Sequence, residues 1–147
     1  MDRGVAVVLT AAVGGLIALQ APINSQLGRT VGSFQAAAVS FTFGTVLLVA
    51  IVLVAGGGFG EVGEARGLPW YYLTGGVLGA AYVTTVLVTV RSLGAGGVVA
   101  ATIAGQLAMA VVIDQLGVLG IEKQPVTALK LLGIALLAAG TFLVVRE

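Results

Sequence analysis

The chain has 147 residues, of which 59% are hydrophobic and only 9% charged, and its formal net charge is +1. A water-facing surface needs roughly a quarter of its residues charged, so the composition excludes an ordinary soluble domain and makes lipid the solvent. The absence of Cys and His excludes disulfides, thiol nucleophiles, haem ligation and the usual zinc sites, and a near-zero charge gives a nucleic acid nothing to bind.

In chain order, the first hydrophobic run goes from about Gly4 to Leu27, long enough at ~1.5 Å per residue to cross a ~30 Å hydrocarbon core. Asp2 and Arg3 before it resemble the charged start of a signal peptide. The run continues without a small-residue cleavage site, so a retained first span is expected. Its second half crowds Gln20, Pro22, Asn24, Ser25 and Gln26 together, and Arg29 and Gly32 mark a tight turn. A second span follows from about Ser33 to Ala55. The glycines from Gly56 to Gly60 break it, and Glu61, Glu64 and Arg66 form the longest polar loop. The third span is expected over 69–91. Pro69 is placed at its first turn, and Trp70, Tyr71 and Tyr72 lie where an interfacial aromatic belt would be. A glycine-rich turn, Leu93 to Gly97, leads to a fourth span over 98–119. Glu122 and Lys123 occupy the next turn, and Pro125 opens a fifth span over 125–145. Membrane strands need only ~10 alternating residues, whereas these runs are about twice as long and do not alternate. The reading is an all-α polytopic membrane protein, a single domain of five transmembrane helices.

The basic residues divide evenly between the two sides of such a fold. Arg3, Arg66 and Lys123 share the side of the N-terminus, and Arg29, Arg91 and Arg146 the other, with Lys130 near the first set. Orientation follows Lys/Arg excess in short loops, and here there is almost none. Insertion in both orientations is one outcome; a fixed topology, set by features other than charge or by a partner subunit, is the other. Small residues recur four apart, at Ser40 and Gly44, Gly75 and Gly79, and Ala135 and Ala139. That spacing reads as helix-packing faces.

Ionisable residues inside spans are costly and usually paired or functional. Asp114 lies about five residues before the end of span four, and Lys130 about five residues into span five. A short hairpin puts them at similar depth. A structural ion pair is the favoured reading, and a proton or cation site at Asp114 the other. Gln20 and Asn24 share one face of span one, flanking Pro22, which frees a carbonyl near Ala18. They suit a substrate-facing wall or interhelical hydrogen bonds equally. Tyr82, Thr85 and Thr89 form a rough stripe in span three, where Tyr82 could stack a flat or cationic ligand. Thr102 and Gln106 share a face of span four, and Asp114 is rotated from Gln106 by about 80°. The candidate substrate-binding residues are therefore Gln20, Asn24, Tyr82, Thr85 and Gln106. No phosphate-binding loop, metal cluster or intramembrane protease constellation is visible, so neither an enzyme nor a cofactor is expected.

The stretch QAPINSQLGR, Gln20 to Arg29, closely resembles the opening signature of YdcZ-type proteins, a short five-helix branch of the drug/metabolite transporter superfamily. The block GQLAMAVVIDQLG, Gly105 to Gly117, is similar to their fourth helix, and Pro125 with Leu131 to Gly140 is similar to the fifth. The resemblance implies half of an inverted-repeat transporter in the bacterial inner membrane. The partner it implies is a second copy in an antiparallel homodimer, or a related five-helix chain in a heterodimer. It carries Gln20, Asn24, Gln106 and Asp114 over as matched polar positions. The tiny multidrug exporters of the superfamily carry an essential Glu in their first helix, and span one here holds no acid. A small neutral, amphipathic or cationic metabolite is the expected substrate. The rival reading is a non-transporting structural or regulatory membrane subunit that pairs with a related chain.

Overall fold

The computed structural model describes residues 2–146, and among them regular structure is entirely helical. Helix α1 spans Arg3–Val31, α2 Ser33–Val54, α3 Gly75–Leu116 and α4 Ala128–Arg146, with 3-10 turns over Gly60–Gly67 and Trp70–Thr74. The chain forms two compact units, Met1–Val88 and Thr89–Glu147.

In the first unit, Asp2 caps α1, its Oδ1 accepting from the N–H groups of Gly4 (2.8 Å) and Val5 (3.3 Å). That satisfies donors the first turn would otherwise leave bare. The helix continues through Pro22 without interruption. Gly32 then ends α1 and starts α2, with φ 96° and ψ 149°, a conformation that suits glycine, while its N–H still donates to Gly28 O. This one-residue link makes α1 and α2 a packed hairpin. The buried residues of α1 are Ala21, Asn24, Ser25 and Gly28, and those of α2 are Ala36 and Ala37. The buried stretch of α1 thus runs from Ala21 to Gly28, whereas no residue from Arg3 to Gln20 is buried. Small side chains on both helices let the backbones approach closely. Ala36, Ala37, Val83 and Leu87 make the core, with Leu27 and Tyr82 packed against it.

The expected third span begins differently. Pro69 caps a 3-10 turn, and the α-helix starts only at Gly75. Trp70, Tyr71 and Tyr72 stand exposed in that turn, Trp70 and Tyr71 edge to face at 6.3 Å and Tyr71 and Tyr72 at 4.8 Å. The acidic loop, expected without structure, is a 3-10 turn over Gly60–Gly67.

Helix α3 runs 42 residues but breaks at Gly94, where φ is 67° and ψ 170°. That region of the backbone map is essentially reserved for glycine. Segments 75–93 and 95–116 are roughly 28 and 33 Å long at ~1.5 Å per residue, each a span's length. The turn expected over Leu93 to Gly97 is thus one non-helical residue. In the second unit, a Cβ on Gly97 would meet Val145 Cγ2 at 3.5 Å, and Thr141 Oγ1 donates to Ala100 O at 3.1 Å, holding α4 to the later segment of α3. Helix α4 begins at Ala128, later than Pro125, because Thr127 Oγ1 accepts from Lys130 N–H and caps it there. No residue of α4 is buried, and Leu129 and Leu136 are largely exposed. Side chains of this kind on the outside of apolar helices are what lipid solvates.

Candidate functional site

Asn24 is the most deeply placed of the polar residues singled out in the sequence. It sits on the buried face of α1 with 6% of its surface exposed, and its Nδ2 donates to Ser40 Oγ of α2 at 3.2 Å. Both residues lie about 12 Å from the Gly32 turn, counted along either helix at ~1.5 Å per residue. Ser25, next to Asn24, is 7% exposed. Gln20, one turn before Asn24, is exposed, so the two do not share an environment although they share a face. Tyr82 is half-buried, against the cluster that also receives Leu27. Because Ala36 and Ala37 of that cluster lie one turn from Ser40, Tyr82 and Asn24 border the same hairpin. Thr85 is exposed, and its hydroxyl donates to Ala81 O at 2.9 Å, a helix-internal bond.

Gln106 belongs to the second unit, where it is exposed. In that unit Lys130 Nζ lies 3.4 Å from Asp114 Oδ2, each side chain about one-third exposed. Two further bonds fasten the same hairpin. Gln124 N–H donates to Asp114 O at 2.8 Å, and Val126 N–H donates to Gln115 Oε1 at 2.9 Å. Beside them lies an apolar groove of about 320 Å³ lined by Val111, Gln115, Leu131 and Ile134 among others. Asp114 is thus one strut of a bonded turn.

Three further residues take part in these contacts without a distinctive signal in the sequence. Ser40 reads as half of a Ser/Gly packing stripe, and no periodicity distinguishes a serine that packs from one that bonds. Ser25 was visible only as part of a polar crowd. Gln115 carried no signal, because its partner is a backbone N–H eleven residues away. No group of acids that could hold a metal occurs among the described residues.

These features define a class: an all-α polytopic membrane protein with apolar helices long enough to cross a bilayer and uncharged polar residues packed between its first two helices. Within that class the chain belongs to the YdcZ family; the family model described as "Putative inner membrane exporter, YdcZ" matches residues 5–143. No curated protein and no solved structure matches the chain.

Proposed function

We infer that the protein is a subunit of an inner-membrane transporter that works as an antiparallel dimer. Two copies, or one copy and a related chain, would present substrate to each side of the membrane in turn, as inverted-repeat transporters do. The substrate is a small neutral, amphipathic or cationic metabolite. Membership of an exporter family supports transport. The observation that carries the reading is Asn24, a carboxamide buried where α1 packs on α2. Polar groups at that depth persist where they serve a pathway or hold helices together. The even division of Arg3, Arg66 and Lys123 against Arg29, Arg91 and Arg146 supports insertion in both orientations.

Topology is the test. The chain has no cysteine, so one introduced thiol reports alone. Gly63 suits it better than Gly58: a Cβ on Gly63 meets nothing within 4 Å, whereas Gly58 has φ 91°. Gly63→Cys in intact cells is labelled first with a membrane-impermeant maleimide and again after lysis. The dual-orientation dimer predicts near-equal labelling before and after. Labelling from one side only removes the antiparallel homodimer and leaves an oppositely oriented partner chain or a non-transporting membrane subunit.

A further inference from the structure

The second unit carries a groove along the end of α4, about 420 Å³ in volume and lined by Ala101 of α3 and by Ala138, Thr141, Phe142, Val145 and Arg146. Its walls are aliphatic and aromatic. Thr141, the one uncharged polar residue in them, already donates its hydroxyl proton to Ala100 O. From Ala138 to Arg146 the groove follows α4 for about 12 Å, counted at ~1.5 Å per residue. One leaflet contributes about half of the ~30 Å hydrocarbon core of a bilayer. The groove therefore has the length and the chemistry to take an acyl chain from a single leaflet.

Charge says which lipid. Arg146 closes α4 and so marks the headgroup end of the groove. Its guanidinium lies over the Phe142 ring, Cζ 5.8 Å from the centroid, and makes no ion pair among the described residues. Arg91, two residues before Leu93 of the same groove, brings a second basic group to this end. The described acids of the unit, Asp114 and Glu122, lie toward the other end of α4. There Asp114 pairs with Lys130, and Glu122 neighbours Lys123 in the connection. The groove of about 320 Å³ at that end thus borders a charge-balanced turn. A guanidinium holds a phosphate through two parallel N–H bonds. A zwitterionic headgroup brings a cation of its own, which the arginines repel, whereas an anionic headgroup does not. We propose that the groove binds one anionic phospholipid, with an acyl chain along Ala101, Ala138 and Phe142 and the phosphate on Arg146. The inference needs only the membrane class of the fold and stands apart from the transport reading.

The test is quenching of tryptophan fluorescence by phospholipids brominated at mid-chain, with the full chain reconstituted in bilayers. Trp70→Phe removes the one native tryptophan. In that background Phe142→Trp places a reporter in the groove and keeps an aromatic ring beneath Arg146. Ile134→Trp places another in the charge-balanced groove. Brominated phosphatidylglycerol is compared with brominated phosphatidylcholine, and the ratio of their binding constants is read at each reporter. At Phe142→Trp the ratio should be about five, the gain expected for one basic residue facing an anionic headgroup. At Ile134→Trp it should be near one. Arg146→Gln, a change at an exposed position, should return the first ratio to near one. Ala138→Leu fills the groove while leaving Arg146 in place, and should also lower the ratio with far-UV circular dichroism unchanged. A ratio near one at Phe142→Trp overturns the proposal, as does the same preference at both reporters. A preference that survives Arg146→Gln removes the phosphate contact. One that survives Ala138→Leu removes the chain from the groove, and leaves only attraction of headgroups to a basic surface. Either result overturns the site.

Discussion

Breaking the Asp114–Lys130 pair gives a quantitative check on how the hairpin between α3 and α4 is held. At 3.4 Å the gross attraction is about 5 kcal/mol for an effective dielectric near 20. Desolvation offsets most of it, since both side chains are about one-third exposed and neither keeps full hydration. The separation is also longer than the ~2.8 Å of a tight charge-assisted bond. A net coupling of about 1 kcal/mol follows, in line with measured interhelical polar contacts in membranes. Lys130→Met leaves a partly buried carboxylate unpaired and costs about 2 kcal/mol. Asp114→Asn leaves an ammonium that can extend toward the interface, and costs about 1 kcal/mol. The double variant recovers about 1 kcal/mol of the summed loss. The assay is reversible unfolding in mixed micelles, titrated with sodium dodecyl sulfate and followed by far-UV circular dichroism. Additivity within about 0.3 kcal/mol refutes the coupling. The bonds from Gln124 N–H and Val126 N–H would then carry the hairpin alone.

The remaining predictions use the same preparation. Gly94→Ala forces a side chain into a glycine-only conformation and should destabilise by about 1–3 kcal/mol. Gly14→Ala, in open space within α1, should be neutral or stabilise by up to about 1 kcal/mol; equal effects at the two sites would refute the break at Gly94. Gln106→Ala removes an exposed side chain that makes no hydrogen bond among the described residues. Its thermal midpoint should stay within about 2 °C of the wild type while its ligand response changes; failure to assemble would take Gln106 out of the candidate site.

Much of the architecture was legible because membrane helices obey a length rule. Apolar runs near twenty residues leave few alternatives, and a chain with so little charge has no other way to shelter its backbone. The one-residue turns at Gly32 and Gly94 fall where glycine and polar residues interrupt those runs. Element edges were less legible. Thr127, not Pro125, sets the start of α4, because a cap depends on which hydroxyl reaches a free N–H. Trp70–Thr74 is wound as a 3-10 turn rather than as α-helix, and nothing in an aromatic run announces that.

Among the site residues, depth counting along the spans puts Asp114 and Lys130 at one level, and the structure has their charged atoms 3.4 Å apart. Gln20 and Asn24 look equivalent in the sequence, being one turn apart on one helix. They differ because the close packing of α1 on α2 covers one face from Ala21 to Gly28 and leaves Gln20 and the residues before it open. Hydropathy is local, so membership of the family, the helical class and the count of runs follow from the order of the residues alone. Burial and hydrogen bonding are not local: Asn24 meets Ser40 because the one-residue turn at Gly32 folds α2 back on α1, and Gln115 meets Val126 because the connection between α3 and α4 turns back on the end of α3.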